Sequence, residues 1–186
     1  MSAVIESKIE VRHVFKVFGN REKDVLALIR AGKSKDQVLA ETGCVVGIND
    51  LSLSIQAGEV FVIMGLSGSG KSTLVRHLNR LVDPTSGQIL VDGEDILQYD
   101  MSALRRLRRH KISMVFQTFG LLPHRTVLEN VAYGLKVRGE SKAQCNERAR
   151  HWIGVVGLQG YEQAMIHQLS GGMRQRVGLA RALATA

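Results

Sequence analysis

The sequence predicts an α/β fold, and three adjacent features carry that reading. Val60-Phe61-Val62-Ile63-Met64 is apolar without alternation, a glycine-rich stretch follows it at once, and residues 72–80 then place Leu74, Val75 and Leu78 on one helical face. A strand covered on both faces of a parallel sheet has no polar side to show, so its side chains do not alternate. The chain has 186 residues, 45% hydrophobic and 23% charged, which suits one globular domain and excludes disorder or a fibrous repeat. No run approaches the eighteen or so apolar residues of a membrane-spanning helix. The first eight residues lack the basic and apolar regions of a secretory signal. Cys44 and Cys145 lie far apart without metal-ligand spacing, and read as buried small hydrophobes in a reducing compartment.

The elements follow in order. Residues 8–18 alternate in part and predict an edge or half-buried strand. Two short helices come next. Residues 24–31 stop at Gly32, and a second helix opens on Ser34-Lys35-Asp36-Gln37, whose spacing fits a capping box, and ends at Gly43. Residues 45–55 return to strand periodicity, interrupted at Asn49-Asp50. After the helix at 72–80, Asp83-Pro84-Thr85-Ser86-Gly87 is a turn, residues 88–91 a short strand and Asp92-Gly93 a tight turn. Met114-Val115-Phe116 predicts a second short buried strand, and residues 126–135, 141–156 and 172–184 predict helices.

A net charge of +8 and a pI near 9.9 invite a nucleic-acid reading. The densest run is Arg105-Arg106-Leu107-Arg108-Arg109-His110-Lys111, in which Leu104 and Leu107 recur at helical spacing. That pattern fits a solvated helix face, and with 5% aromatic residues there is little on which bases would stack. No nucleic-acid partner is expected.

Gly65-Leu66-Ser67-Gly68-Ser69-Gly70-Lys71-Ser72 satisfies the G-x-x-x-x-G-K-[ST] pattern in full, between an expected strand and an expected helix. Such glycines let successive backbone N–H groups converge on an anion, and the helix that follows adds its positive end. Lys71 supplies a point charge for the β- and γ-phosphates of a nucleotide. The Ser72 hydroxyl suits Mg²⁺, and Thr73 a further phosphate oxygen. Far downstream, Leu169-Ser170-Gly171-Gly172-Met173-Arg174-Gln175-Arg176 places an N-capping serine and two glycines before a long helix.

The two motifs together, in this order, resemble those of ATP-binding cassette (ABC) ATPases. The resemblance implies a P-loop core with a small antiparallel β subdomain and a helical subdomain near residues 121–168. Within it, Ser170, Gly171 and Gly172 correspond to the signature that meets a nucleotide held by a second copy. Gln117 matches the glutamine that reaches Mg²⁺ and the attacking water, although a polar residue ending a strand is an alternative. Phe18 matches the aromatic that stacks on adenine, with a core phenylalanine as its competitor. His124 reads as an exposed loop residue without a catalytic role.

Residues 20–42 form an insertion similar to that in ATPase subunits of glycine betaine/proline (quaternary amine) importers. So are the stretches around the glycine-rich loop and Leu121-Leu122-Pro123-His124-Arg125-Thr126-Val127-Leu128-Glu129-Asn130-Val131. This narrower resemblance implies a head-to-tail dimer, a membrane permease, a substrate-binding protein reached through it, ATP and Mg²⁺ as ligands, and a peripheral place on the cytoplasmic face of the membrane. In that family a buried strand ending in Asp-Glu comes after the signature helix, and no segment here matches it. The resemblance therefore implies a partial domain, with turnover expected of the longer protein and not of these 186 residues alone. Two alternatives stand beside the importer subunit: a nucleotide-binding fragment without turnover, and a soluble ABC ATPase not coupled to transport.

Overall fold

The computed structural model describes residues 7–185, which divide after Asp100 into two compact units. Residues 1–6, to which the expectation about a secretory signal belongs, and Ala186 lie outside the described residues.

The first unit is built on a four-stranded antiparallel sheet. Its strands are β1 (Ser7–Phe18), β2 (Val45–Gln56), β3 (Ser86–Val91) and β4 (Glu94–Asp95), in the order β2-β1-β3-β4. β1 pairs with β2 through Ile9↔Ile55 and Val17↔Val46, and with β3 through Val11↔Ile89. It is thus an interior strand, half-buried as the second of the two readings had it and not an edge, because alternation reports one polar face and is silent about how many neighbours a strand has. The expected interruption at Asn49-Asp50 lies inside β2. Asp50 there takes a left-handed φ of 48°, opposite His13 at 47°, where the β1–β2 register slips. The turn between β3 and β4 has Asp92 at φ 53° and Gly93 at 78°, the two left-handed residues of a tight hairpin.

Helices α1 (Glu22–Arg30) and α2 (Lys35–Thr42) lie between β1 and β2 in sequence. The predicted capping box is present: Ser34 Oγ accepts from the Gln37 amide at 3.2 Å, and the Ser34 amide donates to Gln37 Oε1 at 2.8 Å. Val25 from α1 and Val38 from α2 are fully buried against Val17, Cys44 and Val46, which holds both helices on the sheet. Helix α3 (Lys71–Leu78) follows the glycine-rich loop, with Leu74 and His77 buried, and a short 3-10 helix covers Ile96–Gln98.

Residues 60–64 overturn one expectation. They are irregular, and Val60, Val62 and Met64 are 89%, 67% and 85% exposed. A strand's N–H and C=O groups need a neighbouring strand, and among the described residues none pairs with this run. Residues 114–116 fail in the same way: they form no strand, and Val115 and Phe116 are exposed.

The second unit is helical. It contains α4 (Met101–His110), α5 (Val127–Val131), α6 (Tyr133–Arg138), α7 (Lys142–Val155) and α8 (Gly171–Leu183). Its core is closed, with Val127, Leu135, Cys145, Ile153, Val177 and Ala180 all fully buried. The single helix expected over 126–135 is two helices, because the chain bends at Ala132, where ψ is −10°. Gly134 beside the bend approaches Thr185 so closely that a Cβ would lie 2.5 Å from its Cγ2. The arginine-rich run forms α4, with Leu104 and Leu107 buried and Arg105, Arg106 and Arg109 exposed, as a solvated helix face requires. No helix among the described residues is long and apolar enough to cross a membrane.

Candidate functional site

The predicted site residues fall into two groups, one in each unit. In the first unit the glycine-rich loop leads directly into α3, and Gly70 is the helix N-cap in a left-handed conformation, φ 92°. A Cβ there would lie 2.5 Å from the Gly47 carbonyl oxygen, so only glycine lets the loop close down on β2. Gly68, with φ 80°, makes the other left-handed step and faces open space. Around these glycines the loop wraps the Lys71 ammonium, whose Nζ donates to the carbonyls of Gly65 and Leu66, both at 2.7 Å, and to Ser69 Oγ at 3.4 Å. Ser67 and Ser72 are exposed, and Thr73 is half-buried.

This arrangement fits a polyphosphate. The lysine is held at the loop by neutral carbonyls and has no carboxylate to neutralise it among the described residues, and the first-turn amides of α3 point the same way. No group of three or more His, Cys, Asp or Glu side chains able to hold a metal exists among the described residues. The exposed Ser72 hydroxyl is the oxygen in this group that would hold Mg²⁺ beside bound phosphates.

Phe18 closes the β1 end of this group. The residue is 43% exposed, so it is not a core phenylalanine. The Lys16 ammonium lies 5.2 Å from the ring centroid, and Lys16 also pairs with Glu22 at 3.7 Å. The ring presses on Gly47, where a Cβ would fall 2.7 Å from Phe18 Cε2. Sequence reasoning missed Gly47, which touches the aromatic on one side and the glycine-rich loop on the other. Only the three-dimensional pairing of β1 with β2 shows it.

In the second unit, Ser170 caps α8, its Oγ accepting from the Met173 amide at 3.3 Å. Gly171 and Gly172 are exposed, and a Cβ placed on either would meet nothing within 4 Å, which leaves their backbone open to an approaching group. The Arg174 Nε donates to the Leu169 carbonyl at 3.0 Å and steadies the entry to Ser170. Gln117 is exposed and shares a cleft with Gln175, Arg176, Gly178 and Leu179 of α8. The loop after Gln117 is pinned by Arg181, which donates to the carbonyls of Gly120 at 2.7 Å and Phe119 at 3.1 Å. The anchoring roles of Arg174 and Arg181 escaped sequence reasoning because their partners are backbone carbonyls, which no residue type announces. His124 is exposed, as expected.

The chain is similar to known proteins. The chain is 52% identical over 177 residues to the glycine betaine/proline betaine transport system ATP-binding protein ProV of Salmonella typhimurium, covering 95% of this chain and 44% of that protein. It is 52% identical over 178 residues to the glycine betaine/carnitine transport ATP-binding protein GbuA of Listeria monocytogenes, covering 96% of this chain and 45% of GbuA. The chain thus spans less than half the length of these relatives. Its structure superposes on a dimeric bacterial ABC transporter cassette with a TM-score of 0.79 and 32% identity, over 95% of this chain and 69% of that one. The cassette fold expected from the motifs is therefore present in part, as an antiparallel sheet with its helices. Residues 48–186 match the ABC transporter family over most of the chain, and the chain belongs to that family.

Proposed function

We propose that this chain is the nucleotide-binding part of an ATPase subunit that energises import of glycine betaine, proline or a related quaternary amine. One observation carries the ATP reading: the Lys71 ammonium gathered by the Gly65 and Leu66 carbonyls at the mouth of a left-handed glycine turn that opens a helix. In this reading Gly65, Leu66, Ser67, Gly68, Ser69, Gly70, Lys71, Ser72 and Thr73 cradle the phosphates and Phe18 stacks on the base. Gln117 orients the attacking water and, with Ser72, holds Mg²⁺. Positioning and charge stabilisation supply most of the catalysis in phosphoryl transfer, which is the work such groups do. Ser170, Gly171 and Gly172 face the nucleotide of a second copy, head to tail, and their open backbone supports that role. The partners are then a second ATPase subunit, a membrane permease and, through it, a substrate-binding protein, with the subunit peripheral on the cytoplasmic face.

The amine substrate rests on similarity: identity is 51–52% to proteins named for glycine betaine transport and 44% to the methionine import protein MetN of Staphylococcus haemolyticus. The ATP reading is tested by Lys71→Ala. Loss of a charge-assisted contact of about 1.5–3 kcal/mol weakens ATP binding by roughly ten- to a hundredfold. Calorimetric titration with ATP measures it, and unchanged affinity would overturn the assignment.

A further inference from the structure

The cleft beside the glycine-rich loop holds about 290 Å³ and is bordered by Ser69, Gly70 and Lys71 on one side and by Gly47 and Asn49 of β2 on another. A second cation borders it: Lys35, the first residue of α2. We propose that Lys35 is a phosphate-facing cation of the nucleotide site, supplied by the helical pair between β1 and β2. The inference rests on the ATP reading above and adds to it a residue that the glycine-rich motif does not contain.

Charge, anchoring and the absence of a competing acid support it. No Asp or Glu lines the cleft, so no carboxylate there competes with an anion for its two lysines. Two cations that flank this helical pair are matched, Arg21 with Asp24 at 3.0 Å and Lys33 with Glu41 at 2.5 Å, whereas Lys23 and Arg30 of α1 do not line the cleft. Lys35 has no ion-pair partner among the described residues. Its backbone is fixed, because the Ser34–Gln37 capping box sets the first turn of α2 and Val38 one turn later is fully buried against the sheet. The side chain itself is exposed, so its long stem is free to follow the ligand. A triphosphate carries more negative charge than Lys71 alone can match, and a second cation near its path adds a favourable interaction energy that grows in proportion to the charge on the ligand.

The test compares the full chain with its Lys35→Ala, Lys35→Arg, Lys35→Glu and Lys71→Ala variants in titrations with ATP, ADP and AMP at low and high salt. Lys35→Ala is expected to weaken ATP by about three- to tenfold, ADP by less and AMP hardly at all. Lys35→Arg should restore affinity, Lys35→Glu should lose the most, and added salt should shrink every difference. Thermal midpoints should stay together, because an exposed first-turn side chain contributes little to folding. Equal ATP affinity for wild type, Lys35→Ala and Lys35→Glu, with binding still lost in Lys71→Ala, would overturn the role of Lys35 and leave the ATP reading standing. An equal loss for ATP, ADP and AMP would also overturn it, since the contact would not then be with phosphate charge. Unchanged affinity in Lys71→Ala would bring down the ATP reading beneath it.

Discussion

The helical core of the second unit and the apolar run at residues 60–64 are both rich in aliphatic side chains, yet one is sealed and the other lies open. Val127, Leu135, Ile153 and Val177 are fully buried, whereas Val62 is 67% exposed. The difference lies in the backbone. A helix satisfies its own N–H and C=O groups and needs neighbours only for its apolar stripe, which α5, α7 and α8 give one another. An extended segment depends on other strands for its hydrogen bonds before any side chain is covered. Hydrophobic composition alone therefore does not make a core; the partner elements must be at hand.

The comparison is sharpened most strongly by truncating Ile153. Ile153→Ala removes a fully buried side chain from the closed helical core and should cost about 2–5 kcal/mol in a denaturant titration of the second unit's transition. A cost below about 1 kcal/mol would show that this core is loosely packed. The next effect concerns Asn130, fully buried in α5. Its Oδ1 accepts from the Leu122 amide at 2.8 Å, and its Nδ2 donates to the carbonyls of Leu122, Arg125 and Thr126 at 3.1, 3.2 and 2.9 Å. Asn130→Ala strands those groups and should destabilise by about 1–3 kcal/mol, with amide exchange at Leu122 rising first.

His77 in α3 is the contrasting buried polar residue, only half satisfied. Its Nδ1 lies 2.6 Å from the Val82 carbonyl, to which it donates, while Nε2 is buried without a partner among the described residues. Burial is the main force holding its pKa below the ordinary 6.5, and the nearby Lys16 charge adds to it; the Val82 carbonyl and Asp83 pull the other way. The unfolded chain therefore binds a proton that the folded one refuses. Stability from this group is complete above the unfolded pKa and is lost as pH falls below about 6.5. His77→Leu should flatten that acid-side fall in thermal midpoint, and an identical pH dependence in the variant would remove His77 as its source. The smallest effect is expected at the exposed run, where Val62→Ser should shift stability by no more than about 0.5 kcal/mol. A loss comparable to that of Ile153→Ala would break the comparison, since it would mean that Val62 is covered in solution.

Much of this was readable from residues alone because the signals were local. The Ser34–Gln37 box, the glycine that ends α2, the Asp92-Gly93 turn and the Ser170 cap each depend on side chains within a few positions of one another. The glycine-rich loop was legible for the same reason. What escaped was long-range. The pattern of residues 60–64 and 114–116 states what those segments need, and not whether neighbours supply it. The place of β1 between two strands, the closeness of Gly47 to both Phe18 and Gly70, and the arginines that hold backbone carbonyls arise only from pairing across the fold. Lys35 is the sharpest case: the whole of β2 and the exposed apolar run separate it in sequence from the loop whose cleft it borders, a distance at which local pattern says nothing.

Gly47 also acts as a ruler. Its carbonyl meets Gly70 and its missing side chain admits the Phe18 ring, so a single backbone unit sets the span from the aromatic ring to the start of α3. That span is the gauge length for any ligand with a flat base at one end and an anionic chain at the other. It admits no intermediate adjustment by rotamer, because neither glycine has one. A methyl group at position 47 would push the ring outward while leaving Lys71 where it is, and a nucleotide would then be asked to bridge a longer gap with an unchanged skeleton.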